Sequence, residues 1–161
     1  FFVFYYFLLY IYFRKKRMFS KSCEYGIRAS IYVAKNSLKN RKVSLKEVAH
    51  HTDAPPAFMA KILQKLTKTE VLSSSKGPNG GFFVEVENLD HVSFLNIVLA
   101  IDGNGFFENC TLGLRKCDSQ KPCPMHHKFV IIRDEMREML ETTTLKSLAE
   151  QVSDGITFLK R

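Results

Sequence analysis

Apolar residues recur at helical spacing along most of the chain, with one strand-like interruption near its middle. From Cys23 to Leu38, residues Ile27, Ile31, Ala34 and Leu38 repeat every three or four positions. Tyr25, Ala29, Tyr32 and Val33 widen that stripe, so the segment predicts a helix buried on more than one side. Asn36 to Lys42 is a polar connector. Ser44 and Glu47 then stand at capping-box spacing, in which the hydroxyl accepts from the amide three residues on and the carboxylate reaches back. The short helix they open turns Leu45, Val48 and Ala49 inward and ends at His50, His51, Thr52 and Asp53. Adjacent histidines on a helix point about 100° apart, so this pair reads as a solvated helix end. Pro55 and Pro56 open a third helix, where proline is tolerated. Phe58 or Met59, Ile62, Leu63 and Leu66 form its buried face, and Lys61, Gln64, Lys65 and Lys68 its polar one.

The pattern changes at Val71. Val71–Ser75 and Phe82–Val86 have strand character, and Lys76–Gly81 between them carries the Gly, Pro and Asn that a hairpin turn needs. Two short helices joined by a turn, the second with a basic face, followed by a basic-tipped hairpin, make a winged helix-turn-helix. Helical spacing returns at Val92–Asp102 through Phe94, Leu95, Ile97, Val98 and Ile101. After an irregular stretch, Met125, Phe129, Ile132, Met136 and Met139 are spaced 4, 3, 4, 3, a stripe suited to pairing with another helix, and Val130, Ile131 and Leu140 broaden it. Thr142–Thr144 caps a last helix, Leu145–Val152. The fold class is therefore mainly α with a small β-hairpin wing: a DNA-binding unit over residues 18–90, then a loop and long helices over 91–161.

Residues 1–17 stand apart. Phe1–Phe13 is almost wholly aromatic and aliphatic, and Arg14, Lys15, Lys16 and Arg17 follow. The run is shorter than the roughly 20 residues a membrane helix needs. Its charges follow the apolar run, whereas a signal peptide places them before it. These residues read as an extension upstream of Met18, with a short hydrophobic anchor as the competing reading, and no membrane association is expected of the rest.

Composition sharpens the choice of partner. The net charge is +8, and it is +4 without residues 1–17, which points to a polyanion and to nucleic acid first. No Gly-rich phosphate loop, nucleophile elbow or carboxylate pair is visible, so an enzyme is not expected. Three of the four cysteines, Cys110, Cys117 and Cys123, crowd one polar, basic loop, and His126 follows the last at the third position. That clustering fits a reducing compartment better than a secreted disulfide scaffold. Three thiols and an imidazole suit zinc, an iron–sulfur cluster or a redox pair with one thiol left over. The gaps of six and five residues are wide for zinc hooks and favour iron–sulfur.

Tyr25-Gly-Ile-Arg-Ala29, then Ser74 to Phe82 with its Lys-Gly-Pro-Asn-Gly-Gly core, and the Cys110/Cys117/Cys123 loop at its distance behind the wing together resemble the IscR/NsrR-type (Rrf-two) bacterial transcription regulators. The likeness spans residues 18 to about 150. It implies a homodimeric cytoplasmic regulator, most simply a repressor. Its binding to a palindromic double-stranded operator would be controlled by a cluster that senses redox state, nitric oxide or iron–sulfur status. By the same resemblance Cys110, Cys117 and Cys123 are thiolate ligands. His126 is favoured as the fourth ligand of a [2Fe–2S] site; Glu24 from the other subunit, on a [4Fe–4S] cluster, is the alternative. Cys23 is not a ligand. The dimer helix would pair through Phe129, Ile132, Met136 and Met139. DNA contacts would come from Pro56, Ala57, Lys61, Gln64 and Lys65 on the recognition helix and from Lys76, Gly77 and Asn79 at the wing. The other reading keeps the winged helix and gives the loop a structural zinc or a thiol switch instead of a cluster.

Overall fold

In the computed structural model, which describes residues 18–159, the elements are α1 (Lys21–Ser37), α2 (Leu45–Thr52), α3 (Pro56–Lys68), β1 (Ser73–Ser75) and β2 (Gly81–Phe83). A 3₁₀ turn follows at Val86–Asn88, then α4 (Phe94–Asp102), α5 (Gly105–Glu108), α6 (His126–Thr142) and α7 (Leu145–Ser153). The expectation for residues 1–17 lies outside the described residues.

Four of the helices among the described residues start at a side-chain cap. Ser20 accepts from the Cys23 amide at the head of α1, and Ser44 and Glu47 form the reciprocal capping box of α2. A second reciprocal box, Ser93 with Asn96, opens α4, and Thr144 caps α7. Asp53 closes α2 in the left-handed conformation at φ 52°.

Helix α1 is the hub, with α2, α3, α4 and α7 all packed on it. Its Cys23, Ala29, Val33 and Ala34 are buried together with Val48 of α2, Met59, Leu63 and Leu66 of α3, Ile97 and Val98 of α4, and Leu145 and Ala149 of α7. One core thus runs through both sides of the 90/91 boundary drawn from the sequence. Gly26 lets α1 and α4 approach closely. A Cβ at that position would lie 2.0 Å from Ile101 Cδ1.

The wing is a two-stranded antiparallel hairpin, with Ser73 paired to Phe83 and Ser75 to Gly81. It is shorter than the hydrophobic pattern predicts. Val71 and Leu72 are buried before the pairing begins, and Val86 already lies in the 3₁₀ turn. Val43, just before α2, exchanges two backbone hydrogen bonds with Phe82, at 3.0 and 2.8 Å, and so adds a single bridge on the far side of β2. Gly81 permits this, because a Cβ there would meet the Val43 carbonyl at 2.7 Å. Ser37 at the end of α1 secures the wing's exit: its buried hydroxyl donates to the Val33 carbonyl and accepts from the Val84 amide, both at 3.0 Å.

The end of α6 is stitched to the start of α4. Phe94 N–H donates to the Thr143 carbonyl at 2.8 Å, Leu145 N–H donates to the Val92 carbonyl at 2.7 Å, and Ser93 and Thr144 face each other across an isolated bridge. A second small core, Leu95, Phe107 and Leu140 with Met136 against it, seats α6 on α4 and α5.

Candidate functional site

The candidate DNA-facing surface is built by α3 and the wing. Met59, Ile62, Leu63 and Leu66 fix the inner face of α3, which leaves Pro56, Ala57, Lys61, Gln64 and Lys65 exposed. Lys65 also reaches the Ile101 carbonyl at 3.5 Å, the C-terminal end of α4, where a cation is favourably placed. Lys76, Gly77 and Asn79 are exposed at the wing tip, and Gly77 adopts φ 104°, a turn conformation open to glycine. Three further cations join this surface that hydrophobic spacing did not reveal. Lys42 sits at the wing base, 3.0 Å from Ser75 Oγ and 4.4 Å from the centre of the Phe83 ring. Lys21 and Arg28 flank the Tyr25 ring at 4.8 and 4.6 Å, and that ring packs edge-on against Phe58 of α3.

The cysteine loop, residues 110–125, runs between α5 and α6 without a helix or strand of its own. Two of its donors are in contact: Cys117 Sγ lies 3.4 Å from His126 Nδ1. Backbone amides, Leu114 first and then Leu112, pull the Cys110 thiol below its ordinary range against the effect of burial, with Cys123 and the charge of Arg133 adding to them. All three thiols are free, and Cys110 and His126 are buried. Among the described residues no three His, Cys, Asp or Glu side chains are already placed to hold a metal ion.

Beside the Cys117–His126 contact stands Arg133, a residue that sequence reasoning did not single out. It is 9% exposed, near the middle of α6. Its guanidinium donates to the Phe107 and Asn109 carbonyls at 3.2 and 3.0 Å and to Cys117 Sγ at 3.2 Å, while Nε reaches the Phe129 carbonyl at 3.3 Å. One turn on, Arg137 donates to Asn104 Oδ1 at 2.9 Å and lies 4.5 Å from the centre of the Phe107 ring. Glu24 stands elsewhere, in the first turn of α1, 3.6 Å from Lys21.

Cys23 belongs to the core. Burial pushes its thiol up to about 12, and the charge of Asp102 and a hydrogen bond to it act in the same direction, with Glu24 adding. The apolar stripe on α6 divides: Met136 and Leu140 turn inward, while Ile131, Ile132 and Met139 are 59%, 50% and 54% exposed.

Residues 19–151 match the Rrf2 family, described as iron-dependent transcriptional regulators. The chain belongs to the Rrf2 family. An HTH-type transcriptional regulator of Aquifex aeolicus is 32% identical over 81% of this chain and 90% of its own. The regulator IscR of Sodalis glossinidius is 27% identical over 87% and 84%. Among solved structures, CymR, the global cysteine regulator of B. subtilis, superposes with a TM-score of 0.65 at 22% identity, covering 81% of this chain and 95% of its own. The chain is thus a transcription regulator of the Rrf2 family and not an enzyme. Its winged helix is the fold of that family, and no helix among the described residues is long and apolar enough to cross a membrane.

Proposed function

We propose that this regulator is a cytoplasmic homodimer, most simply a repressor, whose grip on a palindromic operator is set by an iron–sulfur cluster on the 110–126 loop. The donor set fits such a group. Three thiols and an imidazole share one short stretch, with Cys117 in contact with both His126 and a buried cation, Arg133. That contact is the observation that carries the reading. Cys110, Cys117 and Cys123 supply thiolates, and His126 is favoured over Glu24 because it already touches Cys117, which makes [2Fe–2S] the favoured type. When bound, a cluster with one imidazole ligand supplies a centre whose stability and potential follow its ligands and their hydrogen bonds.

The chain's own residues do the rest. Ile131, Ile132 and Met139, left uncovered on α6, meet the same face of a second copy, with Phe129 and Met136 at its edge. Two copies place two α3 helices in successive major grooves about one turn of DNA apart. Lys61, Gln64 and the wing residues Lys76 and Asn79 then meet bases and phosphates, and Lys42 adds a phosphate contact. The loop lies against α6, so a change in how it packs alters the dimer helix and the spacing of the two DNA-binding units.

The test is a visible spectrum with iron and sulfide counts on protein purified without oxygen, followed by operator binding. Broad visible absorption, equal iron and acid-labile sulfide, and an operator response that vanishes in the Cys110/Cys117/Cys123→Ala triple variant are expected. A triple variant with unchanged affinity and unchanged response would sink the reading.

The lowered Cys110 thiol, to which Cys123 contributes, favours one second reading, a thiol switch between these two residues. In it the two sulfurs form a disulfide, giving up two electrons and two protons to an added oxidant such as diamide. A colourless protein, free of zinc, that gains this one bond would replace the cluster reading.

A further inference from the structure

Arg133 is a buried cation without a carboxylate. The ion pairs among the described residues are Lys21–Glu24, Arg41–Glu47 and Lys146–Asp90, and none involves it. Burying a guanidinium is costly unless its donors are satisfied and its charge is matched. The carbonyls of Phe107, Asn109 and Phe129 satisfy donors but carry no net charge. The remaining acceptor is Cys117 Sγ, which also contacts His126.

We infer that Arg133 is the positioning residue of the cysteine loop, tying the sulfur of Cys117 and the 107–109 segment to α6 and matching its charge to an anionic cluster held there. The inference rests on the cluster reading above. Neither helical periodicity nor ligand spacing calls for an arginine at this place; its four hydrogen bonds do. A cationic donor to a ligand sulfur stabilises the more negative, reduced state of a cluster, and so raises its potential. It also keeps that ligand from swinging away. Removing a partner of this kind weakens a metal site by about 10- to 100-fold.

The experiment compares the full chain with R133M and R133K, all loaded without oxygen. Four quantities are read: iron and sulfide content, the rate of cluster loss to a chelator, the midpoint potential in a mediator titration, and the thermal midpoint of the cluster-free proteins. R133M replaces a buried charge by an apolar chain of similar length, so its fold should persist. It should lose its cluster about tenfold faster than the parent and titrate at a lower potential. R133K keeps the charge without the fork and should recover most of the potential but only part of the retention. Parent-like loss rate and potential in R133M would overturn the inference. If the parent itself takes up no iron and sulfide, the cluster reading fails instead. The tether is then read by hydrogen exchange of residues 105–117 in the cluster-free proteins. Exchange about tenfold faster in R133M upholds the tether, and equal exchange overturns it.

Discussion

Helix α1 buries two serines, and their hydroxyls should respond in opposite directions to the same substitution. Ser37 Oγ is the acceptor for the Val84 amide at 3.0 Å, and both residues are buried. Ser37→Ala therefore leaves a buried N–H unpaired, which costs about 1–3 kcal/mol. Alanine's better helix propensity returns roughly 0.5 kcal/mol at most, because position 37 is the last of the helix. The net loss should be about 1–2 kcal/mol. Ser30 is wholly buried too, yet its hydroxyl has no hydrogen-bond partner among the described residues. Ser30→Ala removes an unpaired polar atom and gains propensity, so it should stabilise by about 0.5–1 kcal/mol. Urea unfolding of the two variants should then give midpoints roughly 1 M apart, given slopes of about 1–3 kcal/mol per molar. Hydrogen exchange adds a local check, since the Val84 amide should exchange faster in S37A and at the parent rate in S30A. Two variants of equal stability, or a Val84 amide indifferent to S37A, would refute the claim that this hydroxyl anchors the wing.

Two further outcomes follow from the core and from α6. The Cys23 thiol titrates near 9 when unfolded and is held at about 12 in the fold, so the folded state keeps a proton that the unfolded state releases. Its contribution to stability is complete below pH 9 and is lost as pH rises through the window from 9 to 12, by about 1.4 kcal/mol per pH unit. Urea midpoints taken across that range should fall more steeply for the parent than for C23A. On α6, Ile132→Glu places a charge at a half-exposed position, so the chain's own stability should change by no more than about 0.5 kcal/mol. On the dimer proposed above, sedimentation should nevertheless show I132E as a monomer where the parent is a dimer, and a dimer that persists would move the interface elsewhere.

What could be read in the sequence followed from local chemistry. Ser44 and Glu47 announced α2, Pro56 announced α3, and the Gly-rich turn announced the wing, because caps and turns act within a few residues. The Ser93 box escaped notice because its partner is Asn96, not a Glu or Gln. Helix α5 is one turn bounded by Gly103 and Asn109 and reads as loop by composition. The bridge at Val43 and the burial of Arg133 depend on partners 39 and 16 residues away, Phe82 and Cys117, which no window on the chain can show. The same holds for the stripe on α6. Periodicity counts its apolar residues, but only the packing of Leu95 and Phe107 decides which of them the chain covers itself.

The backbone stitch between Thr143–Leu145 and Val92–Phe94 makes one end of α6 a fulcrum. The helix extends 17 residues from it toward the cysteine loop, about 25 Å of rigid arm. Under the proposed regulation the cysteines would act at the far tip, where a given force exerts the largest torque: a shift of about 4 Å at His126 corresponds to roughly 10° at the fulcrum. Because α4 leaves that fulcrum to pack on α1, such a turn would be delivered to the body that carries α3 rather than absorbed in a linker.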